Sequence, residues 1–302
     1  MPDRPFAVVE LSTLTASFED DVAAYSATGV DGIGIWEPKL EPGREEEQLA
    51  AFRGSGLGAS AAVPAVPSIL SLPLMPGPAT AEERVEAYVA GMRRLAPFEP
   101  TAFVCLTGPA GELTAKEARA AILEGLRALG NEAQRLGIPV GVEPTSSHHP
   151  GWTIVTTLGG AGDLITEAGG EGLGLTFDTW HLWDTQTLED DLARYGDRIV
   201  AVHVGDSREP TRSWCDRVLP GDGAIDFDRV LGVLEEAGWD GFYELEIFSD
   251  DGTFGDAFED SLWKTPAAEL AERGRQAFES VGVAEPSKVR SAYASHSRRR
   301  QT

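Results

Sequence analysis

Four short runs decide the fold: IPVGVE (138–143), LGLTFD (173–178), IVAVH (199–203) and FYELE (242–246). In an extended strand, successive side chains point to opposite faces. Val140 and Val142 therefore oppose Gly141 and Glu143, Val200 and Val202 oppose Ala201 and His203, and Leu245 and Ile247 oppose Glu244 and Glu246. One face of each run is apolar, while the other ends in a side chain able to bind a metal: Glu143, Asp178, His203 and Glu246. A closed parallel barrel, with its site at the carboxyl ends of the strands, brings such residues to one point.

The rest of the chain fits that plan. Strand-like FAVVEL (6–11), DGIGIW (31–36), LGASAAV (57–63) and TAFVCLT (101–107) alternate with helical patterns at 18–28, 45–53, 80–95 and 114–136. The four runs continue the alternation, with helical stretches at 156–168, 187–195, 226–237 and 265–281. In the long 114–136 segment, Leu123, Leu126, Leu129 and Ala133 lie at helical spacing, and Thr114 with Glu117 reads as a capping box. The expected fold is a single (β/α)8 TIM barrel over 1–285, followed by a basic, disordered tail at 286–302. The four candidate ligands lie 35, 25 and 43 residues apart. Each step suits one βα unit of about 30 residues, the last with an insertion. Two connections are long, 64–79 and 205–225, and are expected to form lids or specificity elements. GSGLG (54–58) follows a helix and precedes a strand, the wrong order for a dinucleotide loop, so it reads as a helix-ending turn.

Composition narrows the partners. The net charge of −24 argues against nucleic acid, whose phosphates must be neutralised by Lys and Arg. Neither an N-terminal signal segment nor a membrane-length apolar run is evident, so the expected location is the cytoplasm, with no membrane partner. Cys105 and Cys215 form no disulfide or zinc-knuckle pattern, and Cys105 reads as a small core residue.

Three carboxylates about 4 Å apart repel by roughly 4 kcal/mol per pair at an effective dielectric of 20. Protons or a cation must offset that repulsion. Three carboxylates and one imidazole make a hard, oxygen-rich set suited to one octahedral divalent ion, Mn2+ first, with Mg2+, Co2+ and Zn2+ as alternatives. Glu244 shares a face with Glu246. The ligand should be the one nearer the carboxyl end, which leaves Glu244 a layer deeper or paired with a buried cation. His181 in FDTWH reads as a turn histidine or a substrate contact, Asp206 as a group orienting an imidazole or substrate hydroxyl, and His148 and His149 as solvated or substrate-facing loop residues. Trp36, Trp152, Trp180, Trp183, Trp214 and Trp263 fall at or after strand ends, where they could stack on a sugar ring or simply plug the barrel mouth. Trp239 reads as packing at a helix end.

The motifs VEP (142–144), FDTWH (177–181), HVGDS (203–207), DRVLPGDGAIDF (216–227) and YELEIFSD (243–250) together resemble the sugar phosphate isomerase/epimerase superfamily of xylose isomerase-like barrels. The resemblance implies that Glu143, Asp178, His203 and Glu246 hold one divalent metal, and that Glu143 and Glu246 exchange protons with the substrate. It implies substrate contacts from His181 and from an arginine placed at Arg208. With His149, Trp36 and Trp180, these form the expected substrate site. The implied reaction is isomerisation or epimerisation of a small sugar, keto-sugar or cyclitol through a metal-stabilised enediolate. A dehydratase or other lyase is the alternative, and a non-catalytic sugar-binding barrel a weaker one. Apurinic-site nucleases of the same superfamily have a histidine where this chain has Val218, which disfavours that chemistry. Related barrels often pair, so a homo-oligomer is also expected.

Overall fold

Apolar runs of three to six residues alternate with amphipathic helices along the whole chain, and the structure, a computed structural model, converts that rhythm into a barrel. It describes residues 4–73, 75, 77–146 and 151–282. In chain order the elements are β1 (Phe6–Val9), α1 (Phe18–Thr28), β2 (Gly32–Trp36), α2 (Glu45–Ser55), β3 (Gly58–Val63) and α3 (Ala81–Leu95). There follow β4 (Ala102–Cys105), α4 (Ala115–Leu136), β5 (Val140–Val142), α5 (Leu158–Ala168), β6 (Leu173–Asp178), the single turn α6 (Thr179–Leu182) and α7 (Leu188–Tyr195). The chain ends its described part with β7 (Ile199–Val204), β8 (Asp206–Ser207), β9 (Arg217–Val218), α8 (Phe227–Glu236), β10 (Tyr243–Leu245) and α9 (Ala267–Ser280).

The barrel closes in the order β1-β10-β7-β6-β5-β4-β3-β2, eight strands in parallel, while β8 and β9 form a separate antiparallel ribbon. The expected (β/α)8 architecture is therefore the observed one. The tail at 286–302 lies outside the described residues. No helix among the described residues is long and apolar enough to cross a membrane.

Local chemistry explains the element ends. Thr114 and Glu117 make the expected capping box, which satisfies otherwise orphaned N–H groups at the start of α4. At the end of α2, Gly56 takes φ +80°, a left-handed conformation that side chains with a Cβ rarely adopt, and so the glycine string 54–58 is a helix stop.

Packing divides into two shells. Between strands and helices lie Ile33, Phe103, Val140, Val142, Phe177, Val202 and Leu245, facing helical residues such as Leu126, Leu129 and Leu164. Cys105 belongs to this shell, as expected, and Trp239 packs against it. Val9, Ala61, Ala102, Val104 and Ala201 face the barrel interior instead. Register shifts occur at two places among the described strands, one of them where β2 pairs β3 between Ile33 and Ile35. The β6–β7 register shifts between Leu175 and Thr176, and Val200 packs with Ala201 against the interior cluster rather than opposite it. Gly141 and Gly174 leave the room: a Cβ on either would lie 2.9 and 2.5 Å from a Val200 methyl. A bulge of this kind re-aims side chains locally.

The long 64–79 connection is held by Arg84, which is fully buried on α3. Its guanidinium donates to the Ser68 carbonyl and hydroxyl at 3.1 and 2.7 Å, and to the Pro78 carbonyl at 3.2 Å.

Candidate metal centre and substrate cavity

The ends of β5, β6, β7 and β10 are neighbours in the barrel, and Glu143, Asp178, His203 and Glu246 sit there, all buried. Each offers one ligand atom, and those atoms lie within 4.8 Å of one another. Asp178 closes β6, and its Oδ1 accepts the Trp180 N–H at 2.8 Å, which fixes the carboxylate at the first turn of α6. His203 Nδ1 faces Glu143 Oε1 at 3.2 Å and Glu246 Oε2 at 3.5 Å.

Glu244 is not part of this group. Its carboxylate lies a layer deeper, where Oε2 accepts from the Ser60 hydroxyl at 2.9 Å and both oxygens face the Ala61 N–H at 3.1 Å. Of the two positions open to it, the structure selects the deeper layer, anchored by hydroxyl and amide rather than by a buried lysine or arginine. Burial raises its carboxyl, offset in part by the His203 charge.

Arg217 supplies the cation nearest the cluster. It is buried on β9, with Nη1 at 2.9 Å from both Asp178 Oδ2 and Glu246 Oε2. Its guanidinium sits between the rings of Trp180 and Phe248, 5.0 Å from each centroid. The ribbon holds it there: the Arg217 N–H donates to the Phe248 carbonyl, and the Asp250 N–H to the Cys215 carbonyl.

The residue expected in this role, Arg208, is elsewhere. It is half-buried and donates to Asp216 at 3.1 Å and Asp260 at 2.9 Å, beside Arg212, which binds the same two carboxylates. These four charges tie the ribbon to the loop after β10. Cys215, Arg217 and Leu219 alternate in CDRVL (215–219), but Asp216 and Val218 are buried as well, so alternation there marks no inward face, and Arg208 stands in the polar run DSREPT.

His181 lies on α6, buried beside the cluster. Its Nδ1 accepts the Ser146 N–H at 3.1 Å, so the proton of a neutral ring is on Nε2, which faces Asp178 Oδ2 at 3.6 Å. Trp180 packs edge-on against His181 and lies under Arg217. Trp36 is half-buried against the interior cluster, and Trp183 packs in the outer shell. His148 and His149 fall outside the described residues. Asp206 organises the chain: its carboxylate accepts the N–H groups of Ser207, Gly221, Gly223 and Ile225 at 2.7–3.0 Å, and a Cβ at Gly223 would lie 2.4 Å from it. It therefore shapes the GDG turn and orients neither an imidazole nor a ligand.

A cavity opens over the cluster. Glu143, Glu246, His181 and Arg217 line one side, and Leu11, Val63, Pro67, Met75, Val104 and Leu106 the other, with Thr145, Trp152 and Phe248 between. Trp214 stacks against Trp152 at 4.9 Å and against Phe248 and Phe254, so the mouth carries an aromatic rim.

The electrostatics suit a cation. Three buried carboxylates face one guanidinium and two imidazoles, those of His203 and His181. Burial alone would push His203 down, but Glu246 and Glu143 hold it well above its ordinary value. Burial would raise Asp178, but Arg217, His181 and His203 keep it below the usual carboxylate range. Glu246 is pushed up to about 7, by burial first, then by Glu143 and Asp178, against the pull of His203 and Arg217. The donor set thus fits one divalent ion, which would take over the neutralising role now shared by protons and Arg217. Below pH 7 a proton on Glu246 competes with that ion. Apparent Mn2+ affinity should therefore fall as the pH drops below about 7, approaching about tenfold per unit for that one proton. Titration calorimetry from pH 5.5 to 8 checks this, and a pH-independent affinity would contradict it.

The fold and this cluster define a barrel enzyme class, and the family follows. The xylose isomerase-like TIM barrel family matches residues 22–280, so the chain belongs to that family. An inosose isomerase of Bacillus licheniformis is 29% identical over 137 residues, 44% of this chain and 48% of its own length. An inosose dehydratase of Lacticaseibacillus casei is 31% identical over 143 residues, 42% of this chain and 46% of its own length. The chain spans about half the length of the curated relatives it matches. Among solved structures, a protein of Sinorhizobium meliloti superposes with a TM-score of 0.80 at 25% identity, covering 91% of this chain and 97% of its own. The IOLI protein with a bound zinc atom superposes with a TM-score of 0.75 at 18% identity, covering 93% and 98%.

Proposed function

We propose that this protein is a divalent-metal-dependent isomerase or epimerase of a small keto-sugar or cyclitol. The observation that carries the reading is the buried convergence of three carboxylates and an imidazole at the carboxyl ends of four neighbouring strands. Glu143, Asp178, His203 and Glu246 would hold the ion, with Mn2+ first because oxygen donors dominate. The zinc in the IOLI structure makes Zn2+ the comparator. When bound, the ion supplies Lewis-acid stabilisation of negative charge on the substrate's oxygens.

The chain's own groups perform the proton chemistry. Glu143 and Glu246 flank the cavity from β5 and β10, and a carboxylate there removes the proton on the carbon beside a carbonyl. The other glutamate returns a proton to the same or a neighbouring carbon. Arg217 and the Nε2–H of His181 donate toward the oxygen that gains charge in the enediolate. Trp180 and Phe248 hold the guanidinium in place and keep water from it.

A dehydratase begins with the same deprotonation, and the two named relatives divide between isomerase and dehydratase. The product separates them, since elimination releases water and leaves an alkene or its keto tautomer. The acidic body favours a neutral polyol over nucleic acid as ligand.

In D2O with Mn2+, an active ketose or inosose should acquire deuterium beside its carbonyl, detected by proton NMR. EDTA should stop the exchange and fresh Mn2+ restore it. Turnover without exchange, or undiminished after chelation, would refute the reading.

A further inference from the structure

Thr145 lies two residues beyond Glu143, is 1% exposed, and lines the cavity. Its backbone is fixed, with the N–H donating to the Val155 carbonyl. Its hydroxyl is buried and has no hydrogen-bond partner. Other hydroxyls differ: Thr107 and Thr153 bond each other at 2.8 Å and the Ser60 hydroxyl donates to Glu244, while Thr176 Oγ1, deeper in the barrel and away from the cavity lining, likewise lacks a partner. Burying a hydroxyl without a partner is costly, and folding alone would favour valine at this position.

The surroundings sharpen the point. Apart from the charged groups Glu143, His181, Arg217 and Glu246, Thr145 contributes the sole side-chain hydroxyl, amide or charge among the described lining residues. The wall made by β1, β3, β4 and the 64–79 connection is Leu11, Val63, Pro67, Met75, Val104 and Leu106. A polyol bound with its reacting end at the carboxylate cluster thus meets an apolar wall interrupted by one hydroxyl.

We infer that Thr145 is a specificity-determining residue, whose hydroxyl bonds one particular substrate hydroxyl beyond those at the reacting carbons. The inference rests on the proposed sugar or cyclitol turnover. Sites that hydrogen-bond a substrate hydroxyl reject the analogue lacking it, because a buried polar group is then left unpaired. The preferred substrate therefore carries a hydroxyl at one fixed position of its non-reacting part and tolerates hydrogen or methyl elsewhere on it.

The experiment pairs variants with analogues. The full chain with Mn2+ is assayed on D-fructose, D-tagatose and an inosose, and on the monodeoxy analogues of each. Thr145→Val should lower kcat/KM about tenfold on substrates bearing the recognised hydroxyl and leave unchanged the one analogue that lacks it. Thr145→Ser should stay within about threefold of the parent. In the ligand-free protein, Thr145→Val should keep or raise Tm, whereas a threonine of structural importance would lower it. An equal loss on every analogue, no loss on any, or a lowered Tm would overturn the inference. Parent turnover with deuterium exchange in those cases leaves the enediolate reading standing. A parent protein that turns over no member of the panel removes both.

Discussion

Glu143→Gln is expected to lower turnover about 10^2–10^4-fold at saturating Mn2+, the range removed with a positioned general base. The amide matches the carboxylate in size and can still face His203 Nδ1, 3.2 Å away. It cannot accept a proton from carbon. The change also removes one of three clustered negative charges, so the metal-free protein should unfold no earlier than the parent. Deuterium exchange by NMR and thermal unfolding measured on one preparation separate these effects. Near-parental exchange would show that Glu143 does not move the proton. A lowered unfolding temperature would mark it as a structural group.

Arg217→Met should have the larger effect on stability. Its guanidinium lies 2.9 Å from Asp178 and from Glu246, and all three are buried. Removing one partner of a buried ion pair typically costs about 3–5 kcal/mol, because the remaining charge is left uncompensated. Methionine preserves much of the packing against Trp180 and Phe248, so the loss is chiefly electrostatic. A divalent cation can replace the missing charge. The gain in Tm on adding Mn2+ should therefore exceed that of the parent, while turnover stays depressed because only the His181 Nε2–H is left to donate to the substrate oxygen. Differential scanning calorimetry with and without Mn2+ tests this, and an unchanged Mn2+ increment would contradict it. Arg208→Ala serves as the contrast: Arg208 and Asp260 are partly exposed and the buried Asp216 keeps its pair with Arg212, so the loss should be only about 0–1 kcal/mol.

These expectations differ in how far the sequence alone supports them. Glu143 and its three partners were legible because each ends an alternating apolar run, a signal within five or six residues. Strand ends need no long-range knowledge once a parallel barrel is assumed, since closure brings neighbouring ends together. The position of Arg217 was not legible in that way. It depends on β8 and β9 pairing with each other and on Arg217 bonding Phe248, contacts spanning about 30 residues of chain. Local context placed Arg208 and Arg217 in one polar loop, and only the ribbon's register turned one inward and the other toward Asp216 and Asp260. Asp206 follows the same logic. Three residues after His203 it could reach the site by spacing, but the closing turn at 221–225 gives it three N–H donors and Ser207 a fourth.

Periodicity, helix caps and strand-end carboxylates thus determined the barrel and its four-residue cluster from the sequence, because each is governed by dihedral preferences and burial over a single turn or strand. The tertiary structure decided which arginine faces that cluster, how deep Glu244 lies, why Val200 turns inward and that the buried Thr145 hydroxyl is left without a partner beside the cavity. Those outcomes depend on which distant groups meet within 3 Å, and the chain sets that only when the barrel closes and the long loops pack over its mouth.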